Sequence, residues 1–264
     1  MSFIDKYLKA RKEKNSILCL GLDPALPDQR SKDTIHKIYC GDASDCIEQF
    51  CLEMIEYAGD YACAVKINSQ YSLFALGFKR LSALNELIHG YGMVSILDHK
   101  LGDIGSTNDS AMYWMQKCHF DALTFSPYAG NIAEATGMAH ERGLGIFVLD
   151  LMSNPEAEGF QKKCKFNKIP LYLRVAEDVS SADSDGVVVG ATGHVREKDI
   201  EAVRKTIGSE RIILFPGVGA QGGDVKKVMA VGGKNILINV GRDIIYDKNP
   251  RDKVMAYHKL LKIT

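Results

Sequence analysis

The run Asp98-His99-Lys100-Leu101-Gly102-Asp103 brings two carboxylates and an ammonium together directly after the apolar stretch Met93-Val94-Ser95-Ile96-Leu97. Those charges therefore stand at the carboxyl end of a buried strand. Side chains on a strand alternate faces, so Asp98 and Lys100 are expected to point one way and His99 the other. Alone, D-x-K-x-x-D is equally the pattern of a solvated ion triplet. A second lysine alters its meaning: Lys66 ends the neighbouring apolar run, and two lysines with two or three carboxylates in one place would set each other's protonation. Such a setting holds Lys100 charged. A charged lysine is a poor nucleophile and a ready proton donor, so protonation of a carbanion is favoured over Schiff-base chemistry.

A second group of residues suits an anion. Pro216-Gly217-Val218-Gly219-Ala220-Gln221-Gly222-Gly223-Asp224 and Asn239-Val240-Gly241-Arg242-Asp243 each follow an apolar run. Glycines let backbone N–H groups approach a phosphate, a following helix adds its positive N-terminus, and an arginine can fork onto two oxygens. Without further context the same residues describe a tight glycine turn and a surface arginine. Asp224 fits as a helix N-cap or first-turn acid.

The elements that must position these groups repeat along the chain. Short β-branched or apolar runs occupy residues 16–22, 62–67, 93–97, 122–125, 145–151, 186–189, 211–215 and 236–240. Most are followed by a stretch long enough for a crossover helix, such as 108–119 or 199–207, with helical apolar spacing. Near-continuous apolar strands imply burial on both faces, and eight such units in 264 residues match a single-domain (β/α)8 TIM barrel over 1–264. The one long irregular connection is an insert after the first strand, at about 24–45. In such a barrel the site lies at the carboxyl ends of the strands, and loops seven and eight commonly hold phosphate. Strand one ends in Asp23-Pro24, strand two in Lys66-Ile67-Asn68, strand three in the opening cluster and strand five in Met152-Ser153-Asn154-Pro155. In this setting the phosphate assignment outweighs the simple turn.

Thirty-three basic and thirty-three acidic residues cancel, and no basic stripe stands out, so nucleic acid is not an expected partner. The opening residues lack the apolar core of a signal peptide and no run approaches a membrane span, which makes a soluble cytoplasmic protein the expectation. Seven cysteines, Cys19, Cys40, Cys46, Cys51, Cys63, Cys118 and Cys164, form no CxxC pair and do not cluster with histidine. Reduced packing thiols are expected, and no metal site.

From strand one to strand eight the chain resembles the orotidine 5′-phosphate decarboxylase family, in its longer bacterial and protozoal branch. The resemblance is carried, in the family's order, by Asp23-Pro24, Lys66-Ile67-Asn68, Asp98-x-Lys100-x-x-Asp103-Ile104-Gly105-Ser106-Thr107, Ser153-Asn154-Pro155, the segment from Pro216 to Asp224, and Gly241-Arg242. It implies decarboxylation of orotidine 5′-phosphate to UMP in pyrimidine synthesis, with no metal or organic cofactor. It further implies an alternating tetrad of Lys66, Asp98, Lys100 and Asp103, with Asp103 and Thr107 supplied by the partner subunit of a homodimer with shared active sites. Asp23 and Lys66 would hold ribose hydroxyls and Ser153 would meet the pyrimidine. Gln221 and Arg242, with backbone amides at Gly219, Gly222 and Gly241, would bind the 5′-phosphate.

Some positions depart from that pattern. His99 and Leu101 stand where the branch commonly has a small residue and an arginine; both are expected to pack. Glu156 replaces a frequent glycine and could alter the loop over the pyrimidine. Tyr128, Asn131 and His194 also lie near strand ends, where packing or capping is expected of them. Two rival functions stay open: a metal-dependent sugar-phosphate decarboxylase or aldolase of the same barrel group, and a nucleotide-binding barrel without catalysis.

Overall fold

Alternation along the apolar runs sorts their side chains into two cores, one inside a barrel and one between barrel and helices. The computed structural model describes residues 1–35, 39, 41–217 and 222–263, and the side chains of all of these except 222–224. Among them eight parallel strands close into a barrel: β1 (Leu18–Leu22), β2 (Ala64–Asn68), β3 (Val94–Leu101), β4 (Ala122–Phe125), β5 (Gly145–Leu151), β6 (Gly186–Val189), β7 (Ile212–Pro216) and β8 (Ile236–Val240). Each strand pairs with its successor, and Leu18 opposite Ile238 closes the ring. The expected (β/α)8 barrel is the fold observed.

Outside the ring pack α1 (Phe3–Lys14), α2 (Ala43–Ala58), α3 (Ser69–Gly90), α4 (Gly105–Lys117), α5 (Ile132–Glu141), α6 (Leu171–Ser181), α7 (Glu197–Ile207), α8 (Gly222–Val231) and α9 (Pro250–Leu260). The crossover expected at 108–119 starts three residues earlier and stops at Lys117, because His119 takes a left-handed φ of 63°. The long connection between β1 and α2 is irregular where described. Arg30 fastens it to the barrel rim, its guanidinium 5.7 Å from the centre of the Tyr71 ring and 5.3 Å from that of Tyr246.

The amino end of the barrel is plugged. Ser2 and Asp5 form a reciprocal capping box that starts α1, and the helix turns Phe3, Tyr7 and Ala10 into the inner core with Cys19, Ala64, Ile96, Ala122, Phe147 and Leu214. Phe3 meets Phe147 edge to face at 5.4 Å. The Tyr7 hydroxyl donates to the Ile236 carbonyl at 2.6 Å. Two buried aspartates brace the same end. Asp121 accepts from Lys6 and His89, both at 2.8 Å, and from the Ser95 amide at 2.9 Å. Asp185 is held in the same way by His140 at 2.9 Å and the Ile146 amide at 3.0 Å.

At the carboxyl end β3 is irregular, and this bears on the site. Between the pairs Leu97–Leu123 and Leu101–Phe125, β3 advances four residues while β4 advances two. The strand therefore runs past the expected stop at residue 97, and strict alternation ends at Asp98. Lys100 lies in the left-handed region with φ 56°, a conformation that costs an L-residue about 1 to 2 kcal/mol and that marks functional positions in many folds.

Candidate active site

Follow the inward positions of the strands upward and the lining changes character. Cys19, Ala64, Val94, Ala122 and Leu237 belong to the buried apolar layer. Two residues further along each strand come Gly21, Lys66, Ile96 and then Asp98, Thr124 and Asn239. The barrel thus grades from a dry plug to a charged mouth within one turn of the strand alternation.

Asp98 is the centre of that mouth. Its Oδ2 accepts from Lys66 Nζ at 2.5 Å and its Oδ1 from Lys100 Nζ at 2.7 Å. Thr124 Oγ1 adds a third donor at 3.0 Å, and the same oxygen accepts the Lys100 amide at 2.9 Å. Thr124 thereby fixes the bulge that delivers Lys100 to Asp98. Burial opposes ionisation of Asp98, but the charges of Lys66 and Lys100 and their hydrogen bonds outweigh it and hold the carboxyl well below the usual range. For Lys66, burial pulls downward, and the charges of Asp98 and Asp23 overcome it to give a raised value. Lys66 is thereby held as the ammonium and Asp98 as the carboxylate.

Two acceptors in this mouth have no partner among the described residues. One oxygen of Asp23 and the Oδ1 of Asn239 are buried and unbonded. Buried polar atoms are nearly always paired, so these two mark where hydroxyl or N–H groups of a ligand would arrive. Asn239 stands against Gly21, where a Cβ would lie 2.8 Å from its side-chain oxygen; only glycine leaves it room. The backbone of Asp23 is tied down, its carbonyl accepting from the Tyr246 hydroxyl at 2.8 Å.

Beside Asn239 opens a cavity of about 410 Å³ lined by Gly217, Gly241, Arg242, Tyr246 and Asp33. Arg242 is exposed and engages no carboxylate among the described residues, and a Cβ on Gly241 would approach the Gly21 carbonyl to 3.3 Å. The expected phosphate grip falls partly here. Gly241 and Arg242 line the cavity, Gly222 begins α8, and Gly219 and Gln221 lie outside the described residues. Asp224 falls in the first turn of α8.

The remaining expected residues are distributed as follows. Ser153 is half-buried just past β5, on the far side of the mouth. Asp103 and Thr107 are exposed. Among the described residues the Asp103 carboxylate accepts only its own neighbour's amide, Ile104 N at 2.8 Å, and does not reach Lys66 or Lys100 of the same chain. His99 turns away from the mouth, as expected: its Nδ1 meets Ser69 Oγ at 3.1 Å and its ring lines an apolar pocket with Leu73, Trp114 and Met115. Burial, then the Lys100 charge, pushes its pKa down. Leu101 is buried. Glu156 is exposed and accepts from Asn154 Nδ2 at 2.9 Å, a bond that holds its carboxyl below the ordinary range.

Other expectations need correction. Tyr128 does not pack; the short turn Pro127–Ala129 carries it out until it is 85% exposed. Asn131 precedes α5 without a side-chain capping bond and instead donates to the Asp103 carbonyl and to Glu134, both at 3.1 Å. His194 does pack, both ring nitrogens buried and unbonded. Cys19, Cys51, Cys63 and Cys118 are buried thiols, Cys46 is half-buried, Cys164 is exposed, and Cys40 lies outside the described residues. Among the described residues no three His, Cys, Asp or Glu side chains converge as a metal site, and no helix is long and apolar enough to cross a membrane.

Thr124 and Asn239 were not apparent from residue types alone. Each sits inside a β-branched or apolar run and reads there as an ordinary strand residue. The available signal was alternation: both are inward positions two residues beyond a core residue, Ala122 and Leu237, on the way to the carboxyl end.

A closed parallel barrel with a lysine–aspartate–lysine cluster and an arginine-lined cavity at its carboxyl face is the architecture of a barrel enzyme. Residues 16–257 match the model of the "Orotidine 5'-phosphate decarboxylase / HUMPS family". The orotidine 5′-phosphate decarboxylase of Cupriavidus metallidurans is 34% identical over 97% of this chain and 93% of its own, and that of Bordetella pertussis 33% over 96% and 92%. The structure of Leishmania donovani OMP decarboxylase superposes with a TM-score of 0.79 at 26% identity, covering 97% of this chain and 95% of that one. The chain belongs to the orotidine 5′-phosphate decarboxylase family.

Proposed function

We propose that the protein is a carboxy-lyase that converts orotidine 5′-phosphate to UMP and carbon dioxide in pyrimidine nucleotide synthesis, without a metal or organic cofactor. One observation carries the proposal: the Asp98 carboxylate is clamped between the Lys66 and Lys100 ammoniums, with orphaned acceptors and an arginine-lined cavity alongside. The C6–carboxylate bond breaks with its electron pair left on C6. No carbonyl is placed to delocalise that pair, so stabilisation must come from fixed charge aimed at C6. Lys100 supplies it and then passes a proton to C6. Asp98 stands where the departing carboxylate would be crowded by a like charge.

The other roles follow the family pattern. Asp23 and Lys66 take ribose hydroxyls, which gives the unbonded Asp23 oxygen its partner. Ser153 meets the pyrimidine, while Gln221, Arg242 and the amides at Gly219, Gly222 and Gly241 take the phosphate. Binding of that distant group is available to stabilise the transition state. Asp103 and Thr107 serve a neighbouring subunit's site. In support, Ile104, next to Asp103 in sequence, is 61% exposed, and Phe78 and Trp114, 46% and 56% exposed, join α3 to α4 edge to face. Exposed large apolar side chains of this kind mark a protein interface, and the partner is a second copy. We place this activity in the cytoplasm, where thiols stay reduced.

The test is loss of orotidylate absorbance in the presence of a chelator. Turnover is expected. No turnover, or turnover that requires an added divalent metal, overturns the proposal and favours the metal-dependent sugar-phosphate branch of the barrel group.

A further inference from the structure

The segment after Ser153 folds into a short π-helical turn, Glu158–Lys163, whose neighbouring side chains reach in two directions. Gln161 Oε1 accepts the Met152 amide at 2.7 Å, one residue before Ser153. Lys162 Nζ crosses to the other side and donates to Asp199 Oδ2 at 2.7 Å and to the His194 carbonyl at 3.0 Å. This ion pair is shielded, the lysine side chain being 18% exposed and the aspartate 5%. Asp199 is itself fixed, accepting the Arg196 amide at 2.8 Å at the start of α7.

The two loops so joined are in direct contact at Ser153. The Gly190 amide donates to the Leu151 carbonyl at 2.7 Å. A Cβ on Gly190 would lie 2.8 Å from that of Ser153, and one on Gly193, where φ is +67°, would lie 2.5 Å from the Ser153 carbonyl oxygen. Ser153 therefore rests on the bare backbone of residues 190–193. The turn that carries Gln161 and Lys162 is hydrogen-bonded to both loops.

We propose that Lys162 is a positioning residue for the pyrimidine end of the site: through Asp199 and the His194 carbonyl it seats Ser153 on the loop after β6, with Gln161 holding the other edge. This rests on the assignment of Ser153 to the pyrimidine. A buried charge-assisted contact with a second acceptor has little freedom to shift, and a misplacement of about 1 Å in a positioning element can cost on the order of a hundredfold in rate.

The experiment compares wild type, Lys162→Met, Lys162→Arg and Gly193→Ala by kcat and KM for orotidylate and by competitive inhibition with UMP and with ribose 5-phosphate. Lys162→Met should raise KM and the UMP inhibition constant about tenfold, inside that limit, while ribose 5-phosphate, which has no base, binds as before. Lys162→Arg should recover most of the loss. Gly193→Ala, which pushes on Ser153 from the opposite side without touching the ion pair, should show the same base-selective loss even if Lys162→Met fails to fold. Equal weakening of UMP and ribose 5-phosphate, or no change in either, overturns the positioning role. Failure of the wild type to bind UMP overturns the functional assignment instead, and this inference with it.

Discussion

Asp98→Asn removes the one charge that faces both lysines of the mouth. Lys66 would keep its ammonium in a site where its side chain is 6% exposed, with Asp23 as the remaining carboxylate near it. Breaking a buried pair by deleting one partner costs about 3 to 5 kcal/mol, most of it the stranded charge. The Lys100 arm adds little, since that side chain is 39% exposed and water can replace its partner. At about 2 to 4 °C per kcal/mol for a large domain, the midpoint of thermal unfolding should fall by about 6 to 20 °C. The decisive companion is the double variant Lys66→Met/Asp98→Leu. Replacing a whole buried pair by apolar groups of similar size is often neutral or stabilising, so the double variant should melt above Asp98→Asn although it lacks one more native residue. Neither should turn over orotidylate. The assay is urea and thermal unfolding of all three proteins, with UMP formation alongside. A single variant that melts with the wild type, or a double variant that melts below the single, would refute the account of Asp98 as counterion to a buried lysine.

Lys100→Ala should abolish turnover while leaving UMP binding measurable by titration, because Lys66, Asp23 and the cavity at Arg242 are untouched; a near-wild-type rate removes Lys100 from proton delivery. Mixing inactive Asp103→Ala with inactive Lys66→Ala should restore part of the activity through hybrid dimers, and no recovery after demonstrated subunit exchange counts against an Asp103 donated between subunits. His140 has a raised pKa, first through its hydrogen bond to Asp185. Its contribution is whole below the unfolded value of about pH 6.5 and is lost as pH rises through the higher folded value. The stability gap between wild type and His140→Gln should therefore be widest at mildly acid pH and close on the alkaline side; a gap that widens with pH would contradict the sign.

The strands were legible in the sequence because parallel barrel strands are buried on both faces and read as apolar runs. Their carboxyl ends were legible because charge interrupts those runs. Asp98, Lys66 and Arg242 could be picked out on that basis alone. The detail that turns them into a site was not. Lys100 reaches Asp98 through a bulge and a left-handed φ, and neither residue type nor spacing encodes that; the bulge is fixed by Thr124, a residue from the next strand. The seat of Ser153 likewise depends on Gly190 and Gly193, where the informative property is the absence of a side chain at a contact more than thirty residues away in sequence. Helix ends were off by a few residues for a local reason, since left-handed residues such as His119 stop a helix that the apolar spacing would let continue.

The pairing of buried polar groups divides the barrel into a structural end and a chemical end. At the amino end Asp121 and Asp185 each accept two or more hydrogen bonds from histidine, lysine or strand amides, so those carboxylates add rigidity and ask nothing of a ligand. At the carboxyl end Asp23 and Asn239 keep unbonded acceptors, although the same strands could have carried apolar residues there. An unsatisfied buried acceptor costs about 1 to 3 kcal/mol, and two such groups share the carboxyl end with a left-handed Lys100. Asp150 shows what the fold does with a carboxyl that has no hydrogen-bond partner among the described residues. It is buried on β5 with neither oxygen bonded among the described residues, and burial drives its pKa well above the ordinary value. Asp98, nearly as enclosed, is driven the other way by two lysines. In the mouth, the lysines that keep Asp98 ionised stand beside acceptors left free for a substrate.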